Sequence, residues 1–152
     1  MWFTCKIKYD KVGDEGLMTK VSETYLVDAL SFTDAEKRFI EEMEPYMSGE
    51  FEVTDIKKTK VAELFESNDS LADKWYKANV ALITIDEKSA KEKRTNCPMY
   101  IQAPNLSEAL SNLIKGMAGT LSDYVITNIA ETPIMEVYHA DLSGKEEEKK
   151  EE

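Results

Sequence analysis

The sequence is short of most residues that specialised chemistry needs. It holds two cysteines in 152 residues, Cys5 and Cys97, far apart and with no CxxC spacing. That count excludes a disulfide scaffold and points to a reducing, cytoplasmic setting. There is one histidine, His139. One histidine and two distant cysteines do not make a standard zinc site, so no metal and no cofactor are expected. The six glycines form no P-loop, dinucleotide fingerprint or nucleophile elbow, and Gly13-Asp14-Glu15-Gly16 reads as a hairpin turn. The longest apolar run, at residues 80–85, is too short to span a bilayer, so no membrane is expected as a partner. The first six residues lack a basic n-region and already read as a strand, which predicts no signal peptide.

Positive charge is scarce as well. Lys and Arg number 19 against 30 Asp and Glu, for a net charge of −11. Residues 141–152 carry six acidic and three basic side chains, which is −3 and leaves −8 on the body. Such a chain repels nucleic acid at long range unless its lysines gather on one surface. The tail reads as a low-complexity, acidic, disordered segment. The remainder is ordinary for a globular protein, with 42% hydrophobic and 32% charged residues.

What the sequence does have is an internal repeat. At a shift of about 73 positions, Trp2-Phe3-Thr4-Cys5 lies over Trp75-Tyr76-Lys77-Ala78, aligning the two tryptophans of the chain. At 74, Val27-Asp28-Ala29 lies over Ile101-Gln102-Ala103, and Phe32-Thr33-Asp34-Ala35 over Leu106-Ser107-Glu108-Ala109. At 73 again, Phe51-Glu52-Val53-Thr54-Asp55-Ile56 lies over Tyr124-Val125-Ile126-Thr127-Asn128-Ile129.

Each copy reads as ββαββ. Phe3, Cys5, Ile7 and Tyr9 alternate on one face, as do Tyr76, Ala78, Val80 and Leu82, so the first strand of each copy is half-buried. Polar hairpin loops are placed at residues 10–20 and 86–94. Tyr25, Val27 and Ala29, and Met99, Ile101 and Ala103, supply the buried face of the second strand. Ala35, Phe39, Ile40 and Met43 recur at helical spacing, with Thr33 and Glu36 as a capping box and Ser107 as the second N-cap. The expected fold is α+β: a tandem duplication of a ββαββ unit, antiparallel sheets with one helix per unit, and a pseudo-twofold. The expected division is 1–66 for the first repeat, 67–74 for a polar linker, 75–140 for the second repeat, and 141–152 for the tail. A unit of this size has a marginal core alone, so the two are expected to pack as one body.

No catalytic residues are singled out. His139 has no visible partner and reads as a strand-end surface residue. Cys5 lies on the apolar face and reads as core. Glu63 and Glu136 occupy equivalent positions on the fourth strand; an acidic pair related by a twofold suits cation binding or acid–base work, whereas outward residues of alternating strands need no chemistry. The candidate binding surface is Trp2, Lys6, Lys8, Trp75 and Lys77 on the sheet face away from the core, joined by the cluster Lys57, Lys58 and Lys60. Tryptophans among lysines on an open sheet suit base stacking or anchor a protein contact. Packed at a sheet end or between the copies, they would instead be architectural.

The stretches Trp2-Phe3-x-Cys5-Lys6-x-Lys8-Tyr9, then Tyr25-Leu26-Val27-Asp28-Ala29, and Ala130-Glu131-Thr132-Pro133-Ile134-Met135 together resemble an uncharacterised family found in Bacteroidota and some of their phages. The resemblance runs to about Tyr138. It implies a small cytoplasmic protein and brings no site residues with it. The order ββββα over residues 50–119 is also similar to single-strand-binding folds of the Whirly and Pur type, a likeness of order alone. The residues favour a non-enzymatic binding or adaptor protein whose partner is another protein or a second copy of the chain. The alternative is a single-stranded nucleic-acid binder, disfavoured by charge. A third reading is a small-ligand or metal-dependent enzyme with a site between the repeats.

Overall fold

In a computed structural model, residues 1–140 are described; the tail at 141–152 lies outside the described residues. The order of elements is β1 (Trp2–Val12), β2 (Met18–Asp28), α1 (Phe32–Met43), a 3-10 turn (Glu44–Tyr46), β3 (Phe51–Thr59), β4 (Glu63–Phe65), β5 (Lys74–Ile85), β6 (Glu92–Ala103), α2 (Leu106–Gly116), β7 (Asp123–Glu131) and β8 (Ile134–Tyr138). The fold is therefore α+β, with two helices and two four-stranded sheets among the described residues. It divides into two units, one of Met1–Thr59 with the chain from Glu136, the other of Lys60–Met135.

The first unit has the sheet order β3-β1-β2-β8. β1 and β2 pair antiparallel from Trp2↔Asp28 to Val12↔Met18. Both strands run further than the expected loop at 10–20, because their polar outer ends continue the ladder in solvent. The turn is closed by Gly13, whose N–H donates to Leu17 O at 2.8 Å, and by Gly16, whose φ of +77° favours glycine. Phe3, Cys5, Ile7, Val27, Ala29, Ala35, Phe39 and Met43 form the core between sheet and helix. The N-cap of the helix lies two residues before the expected Thr33. It is Ser31, with Oγ accepting from Asp34 N–H at 3.1 Å. Asp34 returns the bond by accepting from Leu30 N–H at 2.9 Å, so the capping pair is Ser31 and Asp34 rather than Thr33 and Glu36.

The second unit has the sheet order β4-β6-β5-β7. Tyr76, Ala78, Val80, Met99, Ile101, Ala103, Ala109 and Leu113 make its core. The N-cap of α2 is Asn105, not Ser107; Asn105 Oδ1 accepts from Glu108 N–H at 2.9 Å. β5 pairs with β7 in antiparallel fashion, and the register slips between Asn79 and Val80. The β1–β3 ladder of the first unit slips between Lys6 and Ile7.

The two short strands depart from the expected arrangement. β4 follows β3 in the chain but joins β6, and it does so in parallel, starting where Ala62 N–H donates to Pro98 O at 2.7 Å. β8 follows β7 but stands beside β2. The fourth strand of each half thus completes the sheet of the other half. The expectation of wholly antiparallel sheets is corrected by the β4–β6 pair. Period-two alternation sets which face of a strand is buried and carries no information about its neighbour.

Candidate functional site

The expected binding residues are divided between the two units. Trp2, Lys6 and Lys8 share the outer face of the first sheet, and Lys57, opposite Thr4, joins them. Lys58, opposite Phe3, belongs to the helix side. The lysines of this face stand among carboxylates: Lys6 lies opposite Asp55, and Lys57 Nζ is 3.9 Å from Asp55. Trp2 is half-buried, with His139 set edge-on against it at 5.4 Å between ring centroids. His139 therefore packs against an aromatic ring rather than standing alone at a strand end.

Lys60, Trp75 and Lys77 belong to the second unit. Lys60 Nζ donates to Asn96 O at 3.4 Å. Trp75 shares a face with Lys77 as expected, but it is 3% exposed. Its cross-strand partner is Gln102. Gln102 Oε1 accepts from Ser67 N–H at 3.0 Å, and its Nε2 donates to Ala72 O at 3.1 Å. The segment at 67–72 is therefore strapped to this face rather than free. With Trp75 buried, a two-tryptophan stacking platform is not present on the surface.

The groups with displaced acidities are structural. Burial, then Asp55, pushes the Cys5 thiol up to about 12, so it holds no thiolate at neutral pH. Tyr25 is raised to about 12 by burial first and by Glu23 next. Tyr9 is raised to about 12 chiefly by its hydrogen bond to Glu23. Tyr138 is raised by burial and then by Glu136, which accepts from its hydroxyl at 3.2 Å. Tyr138 stacks on Tyr25 at 5.8 Å, which anchors β8 beside β2. Glu136 thus has a structural partner, while Glu63 is exposed on β4. Among the described residues no group of three or more His, Cys, Asp or Glu is placed to hold a metal ion. No helix among them is long and apolar enough to cross a membrane.

A surface that sequence reasoning passed over lies on the second unit. α2 buries Ala109 and Leu113 against the sheet. A Cβ at Gly116 would point into the ring of Phe65 on β4, so that flank of the helix faces β4. At 3.6 residues per turn, Leu110 and Ile114 project from the opposite flank, toward β7. They are 38% and 50% exposed, and Leu106, one turn earlier, is 49% exposed. β7 is the edge strand below them, paired on one side only. Its residues between Asp123 and Glu131 are Tyr-Val-Ile-Thr-Asn-Ile-Ala, with no charge. An apolar helix flank and, among the described residues, an unpaired strand edge without charge therefore lie next to one another on the second unit.

The first unit differs chiefly at the strand edge. At the same place in its sheet order, β3 carries Glu52, Asp55, Lys57 and Lys58. The positions of α1 that match Leu106, Leu110 and Ile114 are Phe32, Glu36 and Ile40, so a charge stands where Leu110 is, although Phe32 is 54% exposed. Charges of this kind protect an edge from added strands. The spacing of Leu106, Leu110 and Ile114 is visible in the sequence; that β7 is an edge strand is not.

The chain belongs to the family described as domain of unknown function (DUF4494), whose model matches residues 1–140. No curated protein and no solved structure matches it.

Proposed function

Within a family to which no activity is assigned, we propose that this protein is a binding or adaptor protein working through protein–protein contacts, with its contact surface on the second unit. The observation that carries the proposal is the exposed apolar flank of α2 beside the uncharged edge of β7. Contiguous apolar exposure of this kind is what protein interfaces use.

The proposal includes an origin by tandem duplication of a ββαββ segment. Three observations support it: the shared strand order, the shared kind of N-cap, and register slips at Lys6 and Asn79, which the sequence repeat pairs. In a duplicated chain the features common to both copies serve the architecture. The copy that has exchanged edge charges for apolar residues is then the one adapted to a partner. The free thiols fit a reducing compartment, and the cytoplasm is the proposed location.

The test is site-specific photocrosslinking in the native host, with a photoreactive residue at Ile114 and, as control, at Lys37 on α1. The proposal expects protein adducts of defined mass at Ile114 that disappear on Leu110→Gln, and none at Lys37. Adducts absent from Ile114, or equal at both positions, would refute it.

A further inference from the structure

The second unit sets a strand edge beside an apolar helix flank, which together can form a groove for an added strand. β7 offers nine residues of edge strand, the N–H and C=O groups of which face β5 on one side only. Tyr124, Ile126 and Ile129 turn their side chains toward the core and lie partly buried at its rim. Leu106, Leu110 and Ile114 are exposed on α2, the helix that neighbours β7. A strand laid along β7 would find main-chain partners below and an apolar contact at every second residue above. That is strand addition, in which the backbone supplies affinity and alternate side chains supply specificity.

Charge selects among occupants. The uncharged stretch is bounded by Asp123 and by Glu131, whose carboxylate stands 4.0 Å from Lys74 Nζ, and the chain as a whole carries −11. A second copy would bring another −11 and a second set of acidic strand ends. A segment with apolar residues at alternate positions and lysine or arginine at its ends would meet complementary charge. Resting on the protein-contact reading above, we infer that the β7–α2 groove takes an extended, basic-flanked segment of a partner protein, added antiparallel or parallel to β7 as a fifth strand of that sheet.

The test uses the full chain and fluorescein-labelled nine-residue peptides of alternating valine and threonine. One ends in lysine pairs, one in glutamate pairs, and one is the lysine peptide with a central proline. Fluorescence anisotropy at low salt is expected to show the lysine peptide binding at least tenfold tighter than the other two. Leu110→Gln, which removes apolar contact from an exposed helix position, and Ala130→Lys, which gives β7 a lysine like Lys57 of β3, should each weaken it by tenfold or more. Lys37→Gln on α1 should leave it unchanged. Circular dichroism checks that both variants fold.

Equal binding of the proline peptide, indifference to both variants, or no binding at millimolar protein would overturn strand addition. So would a dimeric mass by light scattering that reverts to monomer in Ala130→Lys, since the edge would then serve a second copy. Peptide failure with Ile114 adducts retained removes the strand-addition inference alone. Loss of both removes the protein-contact reading with it.

Discussion

Gly116→Ala separates the exchanged-strand arrangement from two self-contained ββαββ repeats. Gly116 is the last residue of α2, and its φ is not in the left-handed region. Alanine there is favoured over glycine by up to about 1 kcal/mol on helix propensity alone. In the structure, however, the added methyl would meet Phe65 Cε1, Cδ1 and Cζ at 2.5, 2.8 and 2.9 Å. Carbon atoms rest at roughly 3.5–4.0 Å, so the ring must retreat by about 1 Å. Overpacking of that size costs about 1–3 kcal/mol. The expected net result is destabilisation by about 1 kcal/mol, read as a lower urea midpoint by circular dichroism with an unchanged slope.

Phe65 comes from β4, which completes the sheet of the second unit rather than that of its own half. With β4 in the first sheet, Gly116 would have no ring above it, and alanine would stabilise by about 1 kcal/mol. In a Phe65→Ala background the exchanged arrangement predicts that the sign reverses and Gly116→Ala becomes stabilising. The coupling energy of this double-mutant cycle is then about 2 kcal/mol. A stabilising Gly116→Ala in the wild-type background, or a cycle with no coupling, would refute the placement of β4.

Three further outcomes are expected. Gln102→Ala removes both hydrogen bonds of the strap at 67–72; in a Trp2→Phe background it should shift Trp75 emission to the red, increase acrylamide quenching, and cost about 1–3 kcal/mol. Unchanged emission would mean that the strap does not shield Trp75. Tyr25 has its folded pKa raised from 10.0 to about 12, so its contribution to stability is complete below pH 10 and is lost as pH rises toward 12. Absorbance at 295 nm should therefore show late tyrosine titration coincident with unfolding, and titration of every tyrosine near 10 with the fold intact would contradict this. Finally, a thiol-exchange reagent should modify Cys97 in the native protein and Cys5 only after denaturation, because Cys5 is fully buried and Cys97 is partly exposed; prompt reaction of both would place Cys5 wrongly.

The helices and the core faces were legible in the sequence because alternation and helical spacing report burial directly. Phe3, Cys5 and Ile7, with Val27 and Ala29, lie in the core as their spacing indicates. The caps moved by two residues because Ser31-x-x-Asp34 competes with Thr33-x-x-Glu36, and both are valid capping spacings. Strand partnership was not legible, since a three-residue strand such as Glu63–Phe65 carries too little pattern to specify a neighbour. Gln102, the cross-strand neighbour of the buried Trp75, holds Ser67 from 35 positions away, a tertiary fact. The groove on the second unit was half legible. The exposed apolar positions on α2 stand outside the Ala109 and Leu113 face, but the edge status of β7 follows only from the sheet order.

The most direct measurement of the central claim is amide hydrogen exchange on the protein with and without the partner captured at Ile114. Slowed exchange is expected along β7, Asp123–Glu131, where the edge gains a strand, with no change along β3, Phe51–Thr59. Unchanged exchange in β7, or protection that falls on β3, would contradict it.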